Sequence, residues 1–549
     1  MRLAKLFYCL LFAGIFAPSV SFAQIVPPGS SSTAPTQPGD STLLVEILPG
    51  VRKLEFRKVN DSTQLQILAG NVRLKQNTSY FYCDSCVINN NTRTFEAWGN
   101  VHINDSDTAN IYASHLRYFI DKKLAFLDGG VKLTDGKGTL TTPDLEYDMT
   151  TDIGIYKHGG TVVNKKSVLT SREGFYYAGL HDVIFKQKVE LKDPAYNIKT
   201  DSLIYNTQTQ IARFITYTII RDSSGRTIET SDGYYNIQTG KAEFGGRPII
   251  KDGKLTIIAD QIAIDDSTGI SHAKGNVVIV DTVQHTTIIA GNVFRDNKRD
   301  RILATSKPLM IIKQDEDSIY ITADTLFSAR LTDLYGQKDS TLTKDTVKGT
   351  KVVDLNKKNT DSTNRYFEAY RHVRIFSDSL QSVADSLFYS FKDSTFRLFQ
   401  NPVVWAKEKT QITGDTIFVF TKNKKADHIK VYENSFMVNM IEPEVYNQVK
   451  SSRMDGFFTN GDLDSVRAKG FAECIYYIQD DDSAYTGINQ SKSDIIDIYF
   501  SKQELQKVVF RSGVTGTIWP IRQKSPSEMR LENFQWLDER RPKTKYELF

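Results

Sequence analysis

Residues 95–103 read Phe95-Glu-Ala-Trp-Gly-Asn-Val-His-Ile103, and residues 201–205 read Asp201-Ser-Leu-Ile-Tyr205. Apolar residues recur at alternate positions in both stretches, which is the period of a β-strand with two unlike faces. Gly99 replaces one apolar residue of the first stretch, where it permits a bend or a bulge. The pattern therefore predicts long strands that turn a corner.

Both stretches contain short sequence motifs, called phrases below, that recur along the chain about every 30 residues. The glycine phrase is Gly-(Asn)-Val-x-(apolar), and the second phrase is Asp-x-(apolar)-x-(Tyr or apolar). The glycine phrase has copies at Gly70, Gly99, Gly130 and Gly275. The second phrase begins at Asp84, Ser114, Pro143, Glu173, Asp201, Asp232, Asp260 and Gly291, and fainter copies follow from Asp324 to Asp494. Such a repeat is typical of a stack in which each unit buries its apolar face against its neighbours. Function is therefore expected along the stack and not in a single pocket.

Helices are not expected, because no sustained apolar spacing of three and four residues occurs and β-branched and aromatic residues are abundant. The predicted fold class is all-β, a solenoid-like stack of antiparallel strands. We expect a first array at residues 43–332, a polar insertion at 333–364, a second, irregular array at 365–517 and a polar tail at 518–549.

The N-terminal residues 1–23 have the pattern of a cleaved export signal. Arg2 and Lys5 precede an apolar run, and Ser21-Phe-Ala23 offers small residues at the positions that a signal peptidase reads. The run is too short to span a bilayer comfortably, which argues against a retained anchor. Residues 24–42 are rich in Pro, Ser, Thr and Gly and are expected to form a flexible leader.

Charge and motif content argue against several function classes. The formal net charge is +4 with both signs scattered, which argues against a nucleic-acid partner. The histidines have neither a helical metal spacing nor a nucleophile motif. The Asp that opens many repeats is better explained as a strand-start or turn residue than as a catalytic carboxylate. We therefore expect no enzymatic activity, no cofactor and no metal.

Three cysteines would remain in the exported chain, namely Cys83, Cys86 and Cys474. The spacing of the first two occurs in redox and zinc sites, but no second pair completes a zinc site. Residues three apart in a strand point to opposite faces, so a disulfide there would require a turn. A structural role is the favoured interpretation, with a local disulfide next and a catalytic role last.

The chain resembles the OstA-like domain family in its alternating phrases, such as Gly70-Asn-Val-Arg-Leu74 and Gly275-Asn-Val-Val-Ile279 beside Asp201-Ser-Leu-Ile-Tyr205. The family includes the periplasmic lipopolysaccharide-transport bridge protein and the N-terminal domain of its outer-membrane partner. The resemblance implies an elongated, open, twisted β-jellyroll whose apolar interior carries the acyl chains of lipopolysaccharide between the membranes. It is clearest over residues 65–295, and the chain departs from the bridge protein in its length, its insertion and its second array.

An apolar trough can hold acyl chains without a polar site, because burial contributes about 0.8 kcal/mol per CH₂ group. If both phrases share one core face, that face is lined by Val72, Leu74, Val101, Ile103, Leu116, Tyr118, Val131, Leu133, Leu145, Tyr147, Leu203, Tyr205, Ile262, Ile264, Val277 and Ile279. A simpler interpretation is that these residues fill a closed solenoid core, since burial of alternate positions is the default in strands.

Two function classes remain: a periplasmic bridge for lipopolysaccharide, and a structural or adhesive β-solenoid of the cell envelope. A polysaccharide-active β-helix is a distant third. For the bridge, the expected partners are other β-jellyroll transport subunits at the inner and outer membranes, bound by edge-strand addition. The N-terminal edge near residues 43–54 is expected to be freer than the C-terminal edge near 508–519.

Overall fold

The structure is a computed structural model that describes residues 44–60, 63–105, 109–313, 318–334, 364–406, 408–422, 425–459, 461–480, 484–501 and 504–548. Residues from Val45 onward form one compact unit. The expected export signal, the leader and most of the expected insertion lie outside the described residues. Strands make up most of the described chain and helical segments are short, which confirms the predicted all-β class, an elongated repeat β-jellyroll.

The first array consists of short and long strands before residue 335. They are β1 (Glu46–Ile47), β2 (Lys53–Asn60), β3 (Thr63–Gln76), β4 (Ser79–Asn89), β5 (Thr94–Asp105), β6 (Ala109–Phe119), β7 (Leu124–Thr134), β8 (Thr139–Asp148), β9 (Ile153–Tyr156), β10 (Gly160–Asn164), β11 (Ser167–Ser171), β12 (Glu173–Tyr177), β13 (Asp182–Lys192), β14 (Tyr196–Asn206), β15 (Ile211–Phe214), β16 (Thr218–Asp222), β17 (Thr227–Thr230), β18 (Asp232–Asn236), β19 (Lys241–Gly245), β20 (Ile249–Asp252), β21 (Leu255–Ile258), β22 (Gln261–Asp265), β23 (Ile270–Asp281), β24 (Thr286–Asp296), β25 (Arg301–Thr305), β26 (Leu309–Ile312), β27 (Ile319–Thr322) and β28 (Thr325–Arg330).

The second array follows residue 363. Its strands are β29 (Arg365–Phe376), β30 (Leu380–Ser390), β31 (Thr395–Phe399), β32 (Val403–Ala406), β33 (Thr410–Thr413), β34 (Thr416–Lys422), β35 (Lys425–Glu442), β36 (Val445–Thr459), β37 (Asp462–Gln479), β38 (Tyr485–Ser501), β39 (Glu504–Arg511) and β40 (Thr515–Pro520). Helical segments in the described chain are short: α1 (Leu331–Leu334) and 3₁₀ turns at Ala178–Leu180, Asp538–Arg540 and Lys545–Leu548.

Each strand pairs antiparallel with its neighbours, so that the described strands form one sheet. The pairing of β28 with β29, from Thr325 opposite Tyr370 to Arg330 opposite Arg365, carries the sheet across residues 335–363. The two arrays are therefore continuous through their backbone hydrogen bonds.

Strand register shows that this sheet folds back on itself. Three successive strand pairings, from β3 to β6, place Gln76 level with Ala109. Tyr118 follows Ala109 by nine residues, which is about 30 Å farther along a flat sheet. Yet the Tyr118 hydroxyl donates a hydrogen bond to Gln76 Oε1 at 2.5 Å. The long strands must therefore bend and place their two ends in facing layers.

We call these layers half A and half B. Half A contains Val72–Gln76 and Val101–Asp105, and half B contains Leu65–Ala69 and His115–Phe119. The line of bends between the halves is the spine. The opposite line, where the strand ends of the two halves meet, is the seam.

The repeated phrases build the spine. Gly99 and Asn100 have left-handed φ values of 75° and 44°, and the pairing of β5 with β4 and β6 shifts register there. The Asn100 amide donates to Asp84 Oδ2 at 2.8 Å, and a Cβ on Gly99 would lie 2.4 Å from the same oxygen. Asn276 donates to Asp260 in the same way at 2.8 Å. At these two bulges the residue that opens the second phrase binds the asparagine of the glycine phrase, which is why the two phrases keep one period.

The spine is interrupted where short strands replace long ones. β9 and β10, for example, take the place of one long strand and are separated at residues 157–159. From β14 to β23, ten strands close a ring through their pairings around such an interruption. The facing halves still share one core at these places.

The C-terminal residues after β40 pack on the outer face of half A in the second array. Met529 and Leu531 are buried there in an apolar cluster with Phe436, Val438, Tyr446, Ile475, Tyr477 and Ile488. The Gln448 side chain receives a hydrogen bond from Leu531 N at 2.8 Å and donates one to Met529 O at 2.9 Å. Gln411 makes the same two bonds farther along the tail. The tail expected to be polar is therefore anchored by its apolar side chains and by paired amides.

Candidate functional site: the apolar interior and its seam

The interior between the halves is one apolar core that extends from Leu68 to Phe500. All sixteen residues predicted to line a trough belong to it, with exposed fractions from 0% at Leu74 to 6% at Ile264. Residues of the opposite parity point outward, and Arg117, next to Leu116, is exposed and pairs with Glu96 at 2.7 Å. The phrases therefore share one core face.

The interior of the first array is filled by its own side chains. A cavity beside Leu133, Val162 and Tyr176 measures about 10 Å³, which is the room of roughly one water molecule. An acyl chain would have to part the halves or displace side chains to enter here.

A ladder of tyrosines closes the seam of the first array. Their hydroxyl groups reach from half B to a polar side chain at the end of a half A strand: Tyr118 to Gln76 (2.5 Å), Tyr147 to Asp105 (3.3 Å), Tyr176 to Asp135 (3.3 Å) and Tyr205 to Asn164 (3.4 Å). In the last pair the Asn164 amide donates to the hydroxyl. The two partners of each bond are 41 or 42 residues apart in the sequence. If each repeat unit of the stack is called a rung, each bond joins one rung in half B to an earlier rung in half A.

Arginine–aspartate pairs continue the seam beyond this ladder. Arg226 lies 2.9 Å from Asp266, which also accepts a hydrogen bond from the Tyr235 hydroxyl at 3.1 Å. Arg295 lies 3.1 Å from Asp252. Both arginines are mostly buried, and ion pairs of this kind hold their geometry more firmly than exposed ones.

The seam groups keep the protonation states that their bonds need. Burial, together with the nearby charge of Asp105, raises the pKa of Tyr147, so its hydroxyl remains a donor. Burial raises the pKa of Tyr205 to about 12. Burial opposes ionisation of Asp135, but hydrogen bonds from the backbone of Gly138 and its neighbour and from two side chains outweigh it and lower its pKa.

Sequence reasoning identified Tyr118, Tyr147 and Tyr205 as lining residues but missed the ladder and omitted Tyr176. The copy at Glu173 was aligned one residue late, because the buried tyrosine is Tyr176 and not Tyr177. A usable signal was present, since polar residues recur at 76, 105, 135 and 164 with the period of the tyrosines.

The expectation that Cys83 and Cys86 face opposite sides is wrong. Both are buried, with exposed fractions of 6% and 0%, because β4 bends between them: it takes three steps from Tyr82 to Ser85 where β5 takes four, and the inward parity of β4 changes at this bend. The hydrogen bond with Cys83 is the main cause that raises the pKa of Cys86, and burial raises it further. Both cysteines are free of disulfide bonds, and the raised pKa of Cys86 is the opposite of what a reactive thiolate requires.

Histidines of the first rungs lie on the outer face. His102 stacks on Tyr112 with 4.4 Å between ring centroids, and His115 stacks on Trp98 at 5.6 Å. Among the residues that the structure describes, no group of three or more His, Cys, Asp or Glu side chains is placed to hold a metal ion. In the same part of the chain, no helix is long and apolar enough to span a membrane.

Fold and interior define a repeat β-jellyroll with a continuous apolar core and a polar seam. Residues 47–201 match the family model of OstA-like proteins, which confirms the resemblance over these residues. No curated protein matches the chain. A solved structure that it matches is LptH from Pseudomonas aeruginosa, the LptA homologous periplasmic component of the lipopolysaccharide transport device, at 11% identity over 27% of this chain and 82% of that chain. The TM-score is 0.19, a value at which the likeness does not bear on fold or function.

Proposed function

We propose that the protein is a periplasmic bridge that carries the acyl chains of lipopolysaccharide through its interior toward the outer membrane. The observation that carries the proposal is the unbroken apolar core shared by facing halves over both arrays. The match of residues 47–201 to OstA-like proteins supports it. Neither a cofactor nor a metal is needed for this function.

The interior has the energetics that a lipid path requires. An acyl chain of about twelve CH₂ groups gains about 10 kcal/mol when it leaves water for an apolar interior. A seam hydrogen bond such as Tyr176 to Asp135 contributes about 1.5 kcal/mol. The free energy gained by burying the chain therefore exceeds the free energy of the seam hydrogen bonds of several rungs. Because successive rungs are similar, no single rung is expected to bind the chain much more tightly than its neighbours.

The ends of the array suit docking to other β-jellyroll subunits by strand addition. β2 pairs only with β3 among the described strands, and Leu54, Phe56 and Val59 on it are about half exposed. Such an edge offers unpaired backbone groups beside apolar side chains. At the other end, Ile518 on β40 is exposed, and the apolar residues of the tail pack on the outer face of half A. Both ends therefore remain available as partner sites.

Crosslinking tests the polarity of docking. We expect the N-terminal end of the array to face the inner membrane, so a cysteine in place of Ile47 on β1 should capture a β-jellyroll partner from that side. Crosslinks from Ile518 instead would reverse the assignment.

A structural or adhesive solenoid is the second candidate, because the first array is filled by its own side chains. Native mass spectrometry of the protein purified from its own envelope separates the two. The bridge predicts co-purified lipopolysaccharide, and a protein that carries no lipid would favour the structural role.

A further inference from the structure

The seam changes character in the second array. At the rung of Asp415-Thr-Ile-Phe-Val419 the fifth position of the phrase, held by Tyr205 in the first array, is Val419. Ser377, the residue 42 positions earlier, stands at the end of a half A strand as Gln76 and Asp105 do. Its hydroxyl bonds to its own turn, accepting from Leu380 N at 3.1 Å. Valine has no hydroxyl, so the tyrosine bond is replaced here by an apolar side chain.

A cavity lies at this point of the seam. It measures about 40 Å³, which is room for about three water-sized groups. Both Ser377 and Val419 line it, together with Ile319, Ile375, Leu380, Phe396, Leu398 and Ala426. The apolar residues come from both halves, so the cavity opens directly into the core.

The core is also partly open to solvent here. Ile319, Leu380 and Ala426 are only partly buried although they pack on the main core. Lys425 is exposed at the rim of the same cavity. An apolar opening that leads into an apolar core suits the acyl chain of a lipid.

We propose that this opening, the port lined by Ser377 and Val419, is where an acyl chain of a lipid passes sideways between the solvent and the interior. The inference rests on the proposed function and deepens it by locating lateral exchange in the second array. The tyrosine and arginine seam of the first array is then a closed conduit.

The test restores the missing bond. In the double variant Ser377→Asp with Val419→Tyr, the rung acquires the pair found at Asp105 and Tyr147. Ser379→Trp, at the partly exposed rim, obstructs the mouth without entering the core and decides the matter if the double variant does not fold. The matched control is Asp105→Ser with Tyr147→Val, which removes a bond from the first array.

Each full-length variant is mixed with phosphatidylglycerol vesicles in which some lipids carry a photoactivatable palmitoyl chain. Labelled peptides are then mapped by mass spectrometry, and circular dichroism checks the fold. The wild type should be labelled at Phe396 and Val419. In both port variants the amount of label at these two residues should fall about tenfold, which is the factor expected when two CH₂ groups of the bound chain are no longer buried. The control pair should gain label near Leu145.

Two outcomes overturn the port. If the label is spread along the first array and does not change in the port variants, the port is refuted, but the proposal that the protein binds lipid still stands. Absence of label from every variant, including the control pair, would refute lipid binding as well.

Discussion

Replacement of Tyr147 by Phe isolates one bond of the seam. The phenyl ring keeps the packing of a side chain that is 0% exposed, while the bond to Asp105 Oδ2 at 3.3 Å is lost. A hydrogen bond to a charged acceptor contributes about 1.5 to 3 kcal/mol, and the length of this one places it near the lower figure. We therefore expect local destabilisation of about 1.5 kcal/mol, or roughly tenfold in the opening equilibrium.

Amide hydrogen exchange is the suitable assay, because a stack of repeats opens locally and need not unfold in one step. Exchange through opening should accelerate about tenfold near Asp105 and Tyr147 and remain unchanged in β23 and β24. Tyr234→Phe is the control, because Tyr234 is 40% exposed on the outer face. Unchanged exchange at the seam, or equal acceleration along the chain, would refute the ladder as a set of local closures.

Three further changes test the acid dependence, the spine and the interior. The pKa of Asp135 is lowered from 3.8 in the folded chain. The ionised carboxylate therefore stabilises the fold at pH values above 3.8, and this stabilisation is lost as the pH falls through the folded pKa. Asp135→Asn should remove this part of the acid dependence in a series of exchange rates measured at different pH values. Gly99→Ala should cost at least about 2 kcal/mol in denaturant unfolding, because φ is positive and the new Cβ meets Asp84, whereas Gly179→Ala, with open space around it, should change little. Leu116→Asp should cost more than about 4 kcal/mol by the same measurement, since it places an unpaired carboxyl in the apolar core, and a cost as small as that of a surface change would show that Leu116 does not face the interior.

The alternation of residues 95–103 was sufficient to predict strands, their inward parity and a bend at Gly99. These features are local, because side chains alternate along a strand and glycine accepts a left-handed backbone. The burial of Leu116 and Tyr118 follows from the same parity. Because the sequence repeats, a correct prediction for one rung also holds for the other copies of the same pattern.

Bulges and long-range pairs were harder to predict. Cys83 and Cys86 violate simple parity because β4 bends between them and is one residue shorter there than the paired stretch of β5. The bond from Tyr176 to Asp135 joins residues 41 positions apart, and a strand pattern contains no information about which rungs face each other across a fold. The tail was expected to be polar because its apolar residues, such as Met529 and Leu531, do not alternate as they would in a strand. Their partners are recognisable only as apolar residues on the second face of the last long strands.

The central claim is that the inward face receives acyl chains and the outward face does not. Photo-crosslinking in cells tests it at neighbouring residues, with the crosslinker placed at Leu145, which is 2% exposed, or at Glu146 on the opposite face. Capture of lipopolysaccharide from Leu145, with far less from Glu146, is the predicted result. Equal capture from both positions, or none from Leu145, would contradict a lipid path through the interior.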